Sequence, residues 1–150
     1  MRLDKMLGIK YPCIQGGMAN IASGEFAAAV SNAGGLGLTG AGGMHTEMLR
    51  DHIRRCKALT DKPFGVNLML MNPDAPEMAR MIVEEGVKIV TTGAGSPSSY
   101  MPMWKENGMI VMPVVSSSLL AKKMESMGAD AVIAEGTESG GHVGEMTTMA

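Results

Sequence analysis

Aromatic side chains are scarce: one Trp, two Tyr and two Phe account for 3% of 150 residues. A core of normal size must then be built from aliphatic side chains and from methionine. Cysteine is equally rare. Cys13 and Cys56 stand far apart without metal-type spacing, which excludes a disulfide framework, fits a reducing cytoplasm, and predicts two small buried hydrophobes. No charge sign dominates, and a net charge of -2 provides no basic field for nucleic acid. No apolar run reaches membrane-spanning length, and residues 1–10 mix Arg2, Asp4, Lys5 and Lys10 with single apolar positions. Neither a membrane anchor nor a secretory signal is expected. The three histidines are scattered without ligand spacing, so no metal site is expected.

What is present is a hydrophobic period that changes repeatedly from short apolar runs rich in β-branched residues to helical spacing and back. Strands are predicted near Cys13 to Gly16, Leu36 to Thr39, Phe64 to Met69, Lys88 to Thr92, Ile110 to Val115 and Ala131 to Ala134. Helices are predicted at Gly24 to Ala33 behind Ser23, Glu47 to Leu59 behind Thr46, and near Pro76 to Glu85, Tyr100 to Asn107 and Leu119 to Met127. Four of the five stop at a glycine, namely Gly34, Gly86, Gly108 and Gly128. Leu49, Ile53 and Cys56 form an apolar stripe with Arg50, Arg54 and Lys57 elsewhere, as in a helix packed on a sheet. Ile89-Val90 and Ile110-Val111 lack alternation and look covered on both faces, the pattern of parallel strands. Several of the 17 methionines, among them Met78, Met81, Met124 and Met127, fall at helix positions where a flexible thioether fills gaps.

Alternating strand and helix predicts an α/β fold. The run Gly35-Leu36-Gly37-Leu38-Thr39-Gly40 has the spacing of a dinucleotide fingerprint, but a true fingerprint follows a strand and opens a helix. Here the glycines follow a helix and enclose a strand, so they read as close-packing positions. The expected architecture is a TIM-type (β/α)8 barrel with about six strand units. It is incomplete, because a full barrel takes roughly 250 residues. Strands seven and eight, which usually supply phosphate-binding loops, lie outside these residues, and open edges at the first and sixth strands are expected.

Working residues of such a barrel sit at the carboxyl ends of the strands. That selects Gln15, Gly16, Gly17, Met18 and Ala19, then Asn67, then Thr92 and Gly93, then Ser116 and Ser117, then Glu135 to Gly144, all expected to face one side. Gly140 and Gly141 precede His142 and Gly144 follows it, so the backbone can approach a ligand while one titratable group is presented. An incidental histidine in a loop is the other reading. Glu135 ends a strand, where it is a ligand contact, a base or a carboxylate orienting a neighbour. Asn67 lies within an apolar run and must find a partner, either a ligand heteroatom or another backbone. His45 and His52 read as structural. Ser116-Ser117-Ser118 has no nucleophile-elbow pattern and reads as a helix start.

These segments resemble the flavin-dependent enoyl-acyl-carrier-protein reductases of type II and the related nitronate monooxygenases. The carriers are Tyr11-Pro12 with Gln15-Gly16-Gly17-Met18-Ala19, Asn32 through Gly37, Thr60 through Asn67, Thr91-Thr92-Gly93-Ala94-Gly95, and Ala134-Glu135-Gly136 with Gly140 through Gly144. The resemblance covers essentially the whole chain and implies that residues 1–150 are the N-terminal part of an FMN-binding TIM barrel. It implies FMN across the barrel mouth, with Gly17, Met18, Ala19, Asn67 and Glu135 around the flavin and Gly140 and Gly141 beside it. His142 matches the family's catalytic histidine. The reductase form implies NADH or NADPH as reductant and an acyl-carrier-protein-bound or CoA-bound enoyl substrate, with His142 giving the proton. The monooxygenase form implies that the same histidine deprotonates a nitroalkane. The run from Glu138 to Met149 looks more like the reductase. Cysteine usage, charge and the short apolar runs predict a cytoplasmic protein without nucleic-acid or membrane partners. A homodimer is compatible with this, and an inactive barrel fragment that only associates with partners is the remaining alternative.

Overall fold

A computed structural model of the chain describes residues 2–141 and 145–148. Five parallel strands, β1 (Gly37–Gly40), β2 (Phe64–Met69), β3 (Ile89–Gly93), β4 (Ile110–Val115) and β5 (Ile133–Ala134), lie side by side in chain order. Strictly consecutive order has no switch point, and this excludes the doubly wound sheet that the glycine spacing imitates. The predicted first strand is reduced to a single bridge, Ile14 to Leu36. Gln15 explains the shortfall: its main-chain N donates to Leu36 O and its side-chain Oε1 accepts from Leu38 N at 3.0 Å. A side chain completes the ladder where the backbone has turned away.

The helices are α1 (Leu3–Leu7), α2 (Gly24–Ala33), α3 (Thr46–Leu59), α4 (Ala75–Glu84), α5 (Met101–Glu106) and α6 (Ser118–Ser126). α1 was not legible, since five residues are too few for a helical period to register. The glycine stops hold: Gly34, Gly86, Gly108 and Gly128 have φ of 102°, 69°, 65° and 93°. Ser23 caps α2 by accepting from Phe26 N, and Ser117 caps α6 by accepting from Leu120 N, so the serine run is a helix start. At α3 the cap is His45, whose Nδ1 accepts from Met48 N at 3.3 Å; Thr46, predicted for that role, is already inside the helix.

Strand alternation divides the core in two. Val66, Leu68, Val90 and Val111 face outward onto α3, α4 and α5, where Leu49, Ile53, Met78, Met81, Ile82 and Trp104 are fully buried. Trp104 Nε1 donates to Ala79 O at 3.1 Å, which satisfies its polar end. Leu36, Leu38, Ile89 and Met112 face the other way and pack on Leu7, so α1 closes the lower end of the inner face. Helices on one face and a plug at one end are the layers of a barrel wall. Cys56 is buried as expected, with its thiol pushed up to about 11 by burial, whereas Cys13 is exposed, contrary to expectation, beside the turn that leaves the sheet.

Candidate functional site: the mouth of the strands

Three inner positions meet at the upper end of the sheet because the register aligns them. Gly40 pairs with Asn67, and Asn67 pairs with Thr91. All three share the parity of the inward Leu38 and Ile89. Thr91 Oγ1 donates to Asn67 Oδ1 at 2.8 Å. Asn67 therefore finds neither of its two predicted partners first; a neighbouring hydroxyl takes its carbonyl end. No described residue accepts from its Nδ2.

Gly17 lies directly against this amide. A Cβ there would stand 2.3 Å from Asn67 Cβ and 2.4 Å from Nδ2, closer than any real contact. The loop continues over the sheet: a Cβ on Gly40 would meet Met18 O at 3.0 Å, and one on Gly42 would meet Ala19 Cβ at 3.1 Å. Gly17, Met18 and Asn67 are thus brought together, while Ala19 sits exposed at their edge. Gly16 and Gly93 face open space, with nothing within 4 Å of an added Cβ. Thr92 departs from expectation: it points outward beneath the helices and is fully buried, with Oγ1 unpartnered among the described residues.

The far side is built differently. Glu135 extends β5, its N donating to Val115 O at 3.0 Å, and is half-buried. It lines a cleft of about 200 Å³ together with Ser116, Ser117 and Thr148, a space that Gly17 and Asn67 do not reach. The following loop closes on itself. Thr137 N donates to Met146 O, and Thr148 N donates to both carboxylate oxygens of Glu138 at 3.0 and 3.2 Å. Its own backbone N–H, then the side chain and backbone of Thr148, hold the Glu138 carboxyl below the usual range. Gly136 is buried under this turn, where an added Cβ would lie 2.1 Å from Thr148 N. Gly140 and Gly141 are exposed, with no described atom within 4 Å of an added Cβ. His142 lies outside the described residues.

Sequence reasoning named Thr91 only as a carrier of the resemblance and Glu138 only as a member of the last loop, with no partner for either. Parity with Ile89 could have marked Thr91, whereas nothing in the spacing of Glu138 foretells a partner ten residues on.

The glycine-edged mouth presents a flat floor and one amide donor unengaged among the described residues. The family model that describes nitronate monooxygenase matches residues 1–83 and 77–150. The chain belongs to the nitronate monooxygenase family. The solved structure of FabK from Thermotoga maritima shares 51% identity and a TM-score of 0.95 over 97% of this chain and 47% of that one. The Mycobacterium tuberculosis (3aS,4S,5R,7aS)-5-hydroxy-7a-methyl-1-oxo-octahydro-1H-indene-4-carboxyl-CoA dehydrogenase is 36% identical over 146 residues, 97% of this chain and 41% of its own. A nitronate monooxygenase from Paraburkholderia phytofirmans is 33% identical over 178 aligned positions, covering 93% of this chain and 49% of its own. The chain thus spans about half the length of these relatives.

The fold class is that of the TIM barrels, with five strands of the wall among the described residues. The family is flavin-dependent, and the mouth fits that cofactor: Gly17 leaves its face flat and Asn67 offers a donor. Among the described residues, no helix is long and apolar enough to cross a membrane.

Proposed function

We propose that this chain is the N-terminal part of an FMN-dependent enoyl-thioester reductase that uses NADH or NADPH and acts on acyl-carrier-protein-bound or CoA-bound substrates. One observation carries the preference over a nitronate monooxygenase. The match to the mycobacterial dehydrogenase runs nearly unbroken, 146 aligned positions over 97% of the chain, and the likeness to FabK covers the same share. The monooxygenase alignment needs 178 positions for a chain of 150, so that protein carries residues within the matched span that have no counterpart here. The family model also matches in two pieces that meet at α4. The dehydrogenase is named for a CoA thioester, which supports that substrate class.

FMN held at the mouth would supply the hydride relay between a nicotinamide and the β-carbon of an enoyl thioester. The chain's own residues prepare that transfer. Gly17 and Met18 floor the mouth and Asn67 offers Nδ2–H to an acceptor edge, while Glu135, Gly140 and Gly141 are assigned to the flavin by the family resemblance alone. His142 delivers the proton to the α-carbon, a role suited to an unperturbed imidazole pKa of about 6.5.

The monooxygenase reading keeps the same histidine as a base toward a nitroalkane, and the description of the family model favours it. Purified protein with added FMN decides between them by NADH or NADPH oxidation with a crotonyl thioester and, separately, by nitroethane turnover. Thioester-dependent oxidation that falls by at least about a hundredfold in His142→Ala, in line with the loss of a general acid, supports the reductase. Nitroethane turnover without thioester reduction reverses the assignment.

A further inference from the structure

The amide of Asn67 has a carbonyl end and an amino end, and its surroundings commit only the first. Thr91 Oγ1 holds Oδ1 at 2.8 Å. Thr91 is 1% exposed, so its hydroxyl is shielded from water, while Asn67 is half-buried. Among the described residues the hydroxyl has no other partner, and its one proton goes to the carbonyl end. On the opposite flank Gly17 stands against the amide, where an added Cβ would lie 2.5 Å from Cγ. The side chain is gripped between a hydroxyl and a glycine backbone, with its amino group left unengaged by described residues.

We infer that Thr91 is a positioning residue: by holding Oδ1 it turns the Nδ2–H donors of Asn67 into the mouth, toward an acceptor edge of the flavin. The inference rests on the flavin reading above. It adds a residue that never touches the ring. A threonine suits the position because its methyl fills the β-strand wall while its hydroxyl fixes the neighbour's orientation.

Thr91→Val keeps the shape and removes the hydroxyl, while Thr91→Ser keeps the hydroxyl. Without FMN, the 15N-labelled side-chain amide of Asn67 is expected to give one sharp pair of NMR signals in the parent and in T91S. In T91V the pair broadens or doubles as the amide turns over. FMN titration is expected to weaken about five- to tenfold in T91V, the scale of one buried hydrogen bond, and to stay within about twofold in T91S. N67A and the N67A/T91V double variant should bind alike, because Thr91 acts only through the amide.

Unchanged signals and unchanged affinity in T91V overturn the inference, and so does a double variant weaker than N67A alone. If no form binds FMN while the T91V signals still double, the flavin reading fails, and the role of the amide toward flavin fails with it. The grip of Thr91 on Asn67 is read separately from the unliganded spectra.

Discussion

Around Gly17, Asn67 and Thr91 the mouth is held by steric contact: strands in register, a glycine pressed on an amide, and a hydroxyl sealed from water. Residues 136–141 and 145–148 are held by a few polar contacts, chiefly Glu138 to Thr148 N and Thr137 N to Met146 O. The first region keeps its geometry because any change meets the packed wall. The second keeps it only while its hydrogen bonds persist against water.

The contrast breaks most sharply at Gly17. Gly17→Ala drives Asn67 from its seat, and because the neighbour is a side chain that shifts only at the cost of its Thr91 bond, we expect a loss of about 2 kcal/mol in urea denaturation. A cost below about 0.5 kcal/mol would mean that the platform is as yielding as the loop.

An intermediate effect is expected in the outer layer. Glu85, at the end of α4, receives Arg54 at 2.8 Å and Arg50 at 2.9 Å, with Lys57 at 3.7 Å, all from α3. The Arg54 hydrogen bond, then that of Arg50, holds its carboxyl below the ordinary value of 4.5. A depressed folded-state pKa contributes stability that is fully present above the unfolded value and is lost as pH falls through the folded one. Glu85→Gln should cost on the order of 1 kcal/mol at pH 7, and the gap to the parent should close at pH values below that folded-state pKa. A gap that persists there would assign the loss to packing.

The smallest global effect belongs to the loop. Glu138→Ala should leave the thermal midpoint unmoved while Thr148 N–H exchanges faster with solvent. In the parent that protection should weaken as acid protonates Glu138 below its ordinary 4.5. A lowered midpoint would make the loop part of the cooperative fold.

The same contrast marks what the sequence discloses. β2 and β4 lie at their predicted residues, Phe64 to Met69 and Ile110 to Val115, because each apolar run starts right after a clear helix end, Thr60 to Pro63 before β2 and Gly108 before β4. The first strand was overread, since Gln15 supplies with its side chain what a periodicity argument assigns to backbone. Asn67 was legible as a polar residue in an apolar run, but its partner on the next strand depends on register. Glu138 and Thr148 meet through a turn that no local pattern announces.

The turn into β2 carries one more implication. Thr60 Oγ1 bonds Asn32 Oδ1 at 2.6 Å, and Asn32 Nδ2 bonds Leu59 O at 3.1 Å, so α2 clamps the exit of α3 several residues ahead of Asn67. Because inward and outward positions alternate, this clamp fixes the phase of the strand. Loss of a single residue between Thr60 and Phe64 would present Val66 or Leu68 to the mouth and send the amide beneath the helices. Chemistry at the top of the sheet is timed by a knot of hydrogen bonds at its base.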